Sequence, residues 1–185
     1  TDVTLQERIS IFNKWNFDRK NNKEFTIAGR VFYEDRWGGE MQWNKSYRGG
    51  SEVYGESIYT NRVEAFGMYQ LPLKEQIFTQ FSYNYHDQNS FYGNTPYQAL
   101  QKVAFAQTYW DKKLGSHDII LGLTFKKTFY DDNTPGTLGS DEATNQPMKS
   151  PIFGAFIQDQ WEINEKNTVL LGYRFDYDKI HHSVH

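Results

Sequence analysis

A two-residue alternation of apolar and polar side chains runs through eight segments of this 185-residue chain, at about 5 to 18, 25 to 35, 57 to 71, 76 to 87, 102 to 111, 117 to 130, 152 to 163 and 168 to 179. Successive side chains of a β-strand point to opposite faces, so this period specifies strands with one apolar and one polar face. In the first segment Ile9, Ile11, Trp15 and Phe17 alternate with Arg8, Ser10, Lys14 and Asn16. In the last, Val169, Leu171, Tyr173, Phe175 and Tyr177 alternate with Thr168, Arg174, Asp176 and Asp178. Charge collects on the polar face, and Asp159 stands as the exception on the apolar one. A basic residue at a bilayer midplane costs about 2 to 4 kcal/mol, so a face that excludes charge suits lipid.

Composition agrees with that separation. Aromatic residues make up 17% of the chain and charged ones 23%, which a single surface cannot reconcile but two faces can. No stretch approaches the roughly 18 to 20 consecutive apolar residues of a membrane-spanning helix, and Thr1-Asp2-Val3-Thr4 does not open a signal peptide. A closed barrel satisfies its backbone between strands and crosses lipid without such a run. The absence of cysteine excludes disulfides, zinc-thiolate sites and thiol nucleophiles. A dispersed net charge of −3 offers no basic field for nucleic acid. No nucleophile elbow, phosphate loop or His-Glu-x-x-His helix occurs, and the chain reads as non-enzymatic.

The connections alternate in length. Short turns are expected at 19–24, 72–75, 112–116 and 164–167, and long loops at 36–56, 88–101 and 131–151. Short turns on the periplasmic side and long loops outside are the pattern of an outer-membrane barrel. The expected fold is therefore all-β, an antiparallel transmembrane β-barrel with about eight strands, with a soluble antiparallel barrel or sandwich as the alternative. Eight strands can close on themselves, but both ends of the chain fall on the external side, so residues 1–185 read as part of a single, larger barrel domain.

The segment Gly154-Ala155-Phe156-Ile157-Gln158-Asp159-Gln160-Trp161-Glu162-Ile163, the turn Asn164-Glu165-Lys166-Asn167, and Thr168-Val169-Leu170-Leu171-Gly172-Tyr173-Arg174-Phe175-Asp176-Tyr177 together resemble a strand-turn-strand hairpin of TonB-dependent receptor barrels. Tyr33-Glu34-Asp35-Arg36-Trp37-Gly38-Gly39-Glu40 resembles strands and loops of such receptors of the Bacteroidota type. The resemblance implies a 22-stranded outer-membrane barrel filled by an N-terminal plug, which takes up a scarce bulky nutrient, cobalamin or an iron-siderophore complex, with energy from the TonB complex. It implies as partners outer-membrane lipid, the plug and other strands, TonB through the plug, and a surface lipoprotein. No plug is present in these residues. A porin-like channel and a non-transporting anchor or binding barrel are the alternatives.

Candidate ligand contacts are the loop and rim aromatics Trp37, Trp43, Tyr47, Tyr54, Phe91 and Tyr92, for which a membrane-edge aromatic girdle is the competing account. Asp131, Asp132 and Asn133, with Asp141 and Glu142 beyond, gather oxygen ligands suited to calcium, although Asp and Asn opening a turn before Pro135 explain them without a metal. His181, His182 and His185 are a weaker metal candidate, because alternation turns His182 away from its neighbours. The polar-face charges Arg8, Arg30, Arg62, Glu64, Lys126 and Arg174 are expected to pair with one another or with a plug.

Overall fold

Each alternating segment forms a strand in the computed structural model, which describes residues 4–178 and the backbone of 183–184. The strands are β1 (Leu5–Asn16), β2 (Phe25–Gly39), β3 (Gly55–Gln70), β4 (Gln76–Tyr92), β5 (Thr95–Leu114), β6 (His117–Asp132), β7 (Met148–Asn164), β8 (Asn167–Asp178) and the two-residue β9 (Ser183–Val184). They join in chain order into one sheet, every neighbouring pair antiparallel. Three single 3-10 turns are the remaining regular structure among the described residues. Within those residues β1 pairs with β2 alone, so the sheet is open at that edge.

The register carries the face pattern across strands. Ile11 lies opposite Val31, Val31 opposite Val63, and Val63 opposite Tyr85, while Leu121, Ile157 and Tyr173 form a second apolar row. On the other face Arg8 lies opposite Glu34 and Arg30 opposite Glu64. Among the described residues no second layer covers the apolar rows: Ile11 and Leu123 are each 67% exposed and Tyr173 is 71% exposed. A water-soluble sandwich of this size would bury such side chains against another sheet, so the soluble alternative is set aside.

Two expectations change. The stretch 88–101 is not a long loop. Tyr92 pairs with Thr95 around the turn Gly93-Asn94, and β4 and β5 run on as a hairpin whose β4 arm stays paired with β3 as far as Glu56 opposite Tyr92. Gly93, at φ 61, supplies the left-handed backbone that so tight a turn requires. The long connections of the described structure are therefore residues 40–54 and 133–147.

Charge on the apolar face is also less rare than expected. Glu7, Asp35, Asp87, Lys102 and Lys127 alternate in phase with the apolar residues, all towards the long-loop end of their strands. Lys112 and Asp159 occupy the short-turn end. Between these two levels lies a charge-free band, carried on β2 by Phe25, Ile27, Val31 and Tyr33 and on β6 by Ile119, Leu121, Leu123 and Phe125. Its height of roughly seven to nine residues per strand approaches the 9 to 11 that a tilted strand needs to cross hydrocarbon. The apolar face is thus a belt with charged margins.

Candidate functional site

The loop 40–54 folds back on the outward, apolar-side surface of β2 to β4 and does not cap the inner face. Lys45 Nζ donates to Asp35 Oδ2 at 2.6 Å and lies 4.5 Å from the centre of the Trp37 ring. Arg48 lies over Tyr59 and Phe91, 4.4 and 4.5 Å from their ring centres, and donates to Ser57 Oγ and Asn89 Oδ1. These aromatic and polar partners all share the outward parity. Two glycines permit the close approach. A Cβ on Gly55 would stand 2.2 Å from Trp43, and one on Gly49 would stand 2.8 Å from Phe91.

The rim aromatics thereby fall into two groups. Trp37, Trp43 and Phe91 are half-buried under or within the folded loop, and Tyr54 packs across Gly93 while its hydroxyl donates to Glu56 at 3.0 Å. That bond pushes the Tyr54 phenol above its ordinary value, with the Glu56 charge adding to it. Tyr92 belongs to the inner-face parity, opposite Glu56, and Tyr47 is half-buried in the 3-10 turn at the loop tip. Among the described residues the strand-borne ones divide between the faces, Trp37 and Phe91 outward and Tyr92 inward. Arg48 and Lys45, which organise the loop, were not singled out by the sequence; a cation one or two residues from a Trp or Tyr is too common to draw notice.

The inner face is a ladder of paired charge. Arg8 forks onto Glu34, and Arg30 donates to Glu64 at 2.7 and 2.9 Å. Glu64 also accepts from Asn84, and Arg62 bridges towards Glu64 and His86 while lying over Phe32. Further along, Arg174 donates to Asp176 at 2.6 and 2.8 Å and reaches Thr124. Lys126, Ile152 and Asp178 join this group around a concave space of about 370 Å³. A second hollow of about 410 Å³ is lined by Lys14, Phe66, Met68, Gln80 and Phe105. The expected mutual pairing of polar-face charges therefore holds for Arg8, Arg30, Arg62, Glu64 and Arg174, while Lys126 has no charged partner among the described residues.

At the loop 133–147 most of the oxygen-rich residues are occupied with turn chemistry, while the buried Oδ1 of Asp131 has no hydrogen-bond partner. Asp132 accepts from Tyr130, from the backbone and hydroxyl of Thr134, and from Thr137. Asn133 bridges to Gln98 and Pro96, and Asp131 accepts from Asn145. Asp131 and Asp132 have opposite facial parity. Among the described residues no group of three or more His, Asp or Glu side chains is placed to hold a metal ion. Asp141 accepts from the Thr144 hydroxyl and from the Thr144 and Ala143 amides, which hold its carboxyl down to about 2. His181, His182 and His185 lie outside the described residues.

Asp159, the sequence exception, lies at the short-turn margin, where its Oδ2 is 2.8 Å from His117 Nδ1. The His117 ring stacks on Trp161 at 5.6 Å. Nearby Lys112 and then Trp110 donate to Glu75, holding that carboxyl below its ordinary range. Trp161 and Trp110 at this level fit an interfacial girdle.

Comparisons with known proteins agree with this geometry. No curated protein and no solved structure matches the chain. A family model described as TonB dependent receptor-like, beta-barrel, matches residues 2–184. Together with a sheet that is apolar and bare on one side and charged on the other, that match establishes that the chain belongs to the β-barrel family of TonB-dependent receptors, transporters of the bacterial outer membrane.

Proposed function

We propose that this chain forms wall and external loops of a receptor that imports a scarce, bulky nutrient, cobalamin or an iron-siderophore complex, through the outer membrane. The observation that carries the reading is the inner face. Its guanidinium and carboxylate groups are paired and oriented before any ligand arrives. Such a wall presents fixed dipoles and hydrogen-bonding groups to a plug or a passing polar solute, as an uptake route needs and a lipid-facing wall does not. Lys126, together with Arg174 at the 370 Å³ concavity, would then meet acidic or carbonyl groups of a plug.

In this reading the barrel continues beyond these strands to 22, a plug fills it, and TonB acts through that plug. The β4–β5 hairpin and the loop 40–54 form part of the external rim, where a surface lipoprotein would dock. Calcium has a place here only if Asp132 and Asn133 exchange their present hydrogen bonds for metal coordination on ligand binding, beside the Asp131 Oδ1 that has no hydrogen-bond partner.

Titration of the purified receptor with cobalamin and with ferric siderophores tests the proposal, read by intrinsic tryptophan fluorescence and by calorimetry. Saturable binding of one ligand class, with uptake abolished by loss of TonB, supports it. Free ion conductance in a planar bilayer, with no binding of either class, would replace it by the porin-like reading.

A further inference from the structure

Two phenols and a carboxylate meet at the long-connection end of the inner face. The hydroxyl oxygens of Tyr97 and Tyr130 are 2.9 Å apart, and the Tyr130 hydroxyl donates to Asp132 Oδ2 at 2.7 Å. Tyr130 lies opposite Gln101 and Asp132 opposite the buried Ala99, and Tyr97 shares the parity of both β5 residues. The two rings thus come from different strands and lean along the sheet until their oxygens touch.

The carboxylate is held ready by its own turn. Asp132 Oδ1 accepts from the Thr134 amide and hydroxyl at 2.9 and 2.8 Å and from the Thr137 hydroxyl at 3.0 Å, which leaves Oδ2 turned to the phenols. Tyr97, Tyr130 and Asp132 are each half-buried, so the oxygens are fixed by protein and still reachable from outside it. The nearest Lys or Arg of inner parity on β5 to β7 is Lys126, four residues along β6 or roughly 13 Å away. No ammonium or guanidinium group stands in for a cation among these oxygens.

Their spacing fits a metal. A small, hard cation held octahedrally at about 2.0 to 2.1 Å sets its neighbouring ligand oxygens about 2.9 Å apart. The two contacts of 2.9 and 2.7 Å match two such edges. Charge selects among hard cations. A phenol keeps its proton up to a pH of about 10, so magnesium or calcium would leave both hydroxyls neutral, whereas ferric iron binds tyrosine as phenolate. Two phenolates and one carboxylate balance a triple positive charge. On binding, the two phenolic protons leave to solvent and the metal keeps its oxidation state.

From this juxtaposition we propose that Tyr97, Tyr130 and Asp132 bind a hard trivalent cation, ferric iron, directly through their three oxygens, with the remaining coordination positions open to water. The bound ion ties the tip of the β4–β5 hairpin to the start of the loop 133–147. The site takes the bare ion and not a chelate, so it stands whichever nutrient the receptor imports, and its spectroscopic signature is read separately from ligand titration and uptake.

The full receptor in detergent, titrated with ferric nitrilotriacetate, provides the test. Phenolate bound to ferric iron absorbs visible light by charge transfer and gives tyrosinate modes in resonance Raman spectra, which carboxylate-bound iron does not. The wild type should develop this band to saturation, and Tyr130→Phe should weaken the apparent affinity at least about tenfold, since even the partners of metal ligands are worth about 10- to 100-fold. The double variant Tyr97→Phe, Tyr130→Phe should lose the band, while Tyr109→Phe, on the inner face near the short turns, should leave it unchanged. If the double variant does not fold, judged by heat-modifiable gel migration, Tyr130→Phe alone is read. No charge-transfer band in the wild type, or a band and affinity undiminished in whichever variant is read, would overturn the proposal and leave the three side chains as a hydrogen-bonded stitch between strands.

Discussion

His117 Nδ1 lies 2.8 Å from Asp159 Oδ2, and this contact partners an acid that stands on the outward face at the short-turn margin of the belt. The pair stands at the margin of the belt, beside the turns at residues 115–116 and 165–166. Removing the ring by His117→Ala strands the carboxylate, whose second oxygen already lacks a partner. We expect a loss of about 1 kcal/mol, at the low end for a lost partner because both side chains are partly solvated. His117→Ala combined with Asp159→Leu should recover most of it. Urea unfolding in lipid vesicles reads both variants.

A charge placed within the belt should be far less tolerated than one placed opposite it. Leu123→Arg, on the outward face of β6, should cost about 2 to 4 kcal/mol. Gln158→Arg, on the inner face of the neighbouring strand, should stay within about 0.5 kcal/mol, as a solvated substitution does. Equal losses in the same unfolding assay would contradict the assignment of faces.

Two glycines of equal chemistry should respond oppositely to alanine. A Cβ on Gly67 would meet the Thr26 carbonyl oxygen at 2.4 Å and the Phe81 ring at 2.7 Å, and a backbone oxygen within a sheet cannot step aside. Gly67→Ala should destabilise by about 1 to 3 kcal/mol. At Gly172 the nearest atom would be 3.9 Å away, an ordinary contact. Gly172→Ala should be neutral or stabilise by up to about 1 kcal/mol through the unfolded chain.

Much of this architecture was legible beforehand, for identifiable reasons. Alternation marked the eight long strands because one face must be apolar throughout, and the hairpin of β7 and β8 was legible residue by residue. The tip of the β4–β5 hairpin was not. Above the belt neither face is buried in lipid, so residues 88–101 keep strand geometry without an apolar signature, and Gly93-Asn94 was the one available sign of the turn. The same release of constraint explains why Asp87, Lys102 and Lys127 alternate in phase with apolar residues. The candidate rim aromatics lie at the long-connection end of the strands, and whether they face ligand or wall depends on how the loop 40–54 folds. That depends on Gly49, Gly55 and Arg48 meeting Phe91, Trp43 and Tyr59 across strands.

Acid should loosen the loop 133–147 later than an ordinary aspartate would allow. Asp141 has its carboxyl lowered from 3.8 to about 2 by Thr144 and the adjacent amides. A lowered folded value stabilises the loop above the unfolded value, and that contribution is lost as pH falls through the folded one. The Asp141 carboxylate should therefore titrate near 2 by carbon-detected NMR in detergent, and Thr144→Val should move its midpoint up towards 3.8. A wild-type midpoint already near 3.8 would contradict the loop geometry.

The account stands on the phase of the side chains relative to lipid, and these 185 residues, which hold no cysteine, can be probed for that phase by single cysteines. Single cysteines placed from 119 to 126 in the full receptor, spin-labelled and reconstituted in bilayers, report oxygen accessibility by electron paramagnetic resonance. Labels at Ile119, Leu121, Leu123 and Phe125 should be oxygen-accessible, and those at Ile120, Gly122, Thr124 and Lys126 should be shielded from it. A flat profile along the strand, or the opposite phase, would contradict the assignment of the apolar face to lipid.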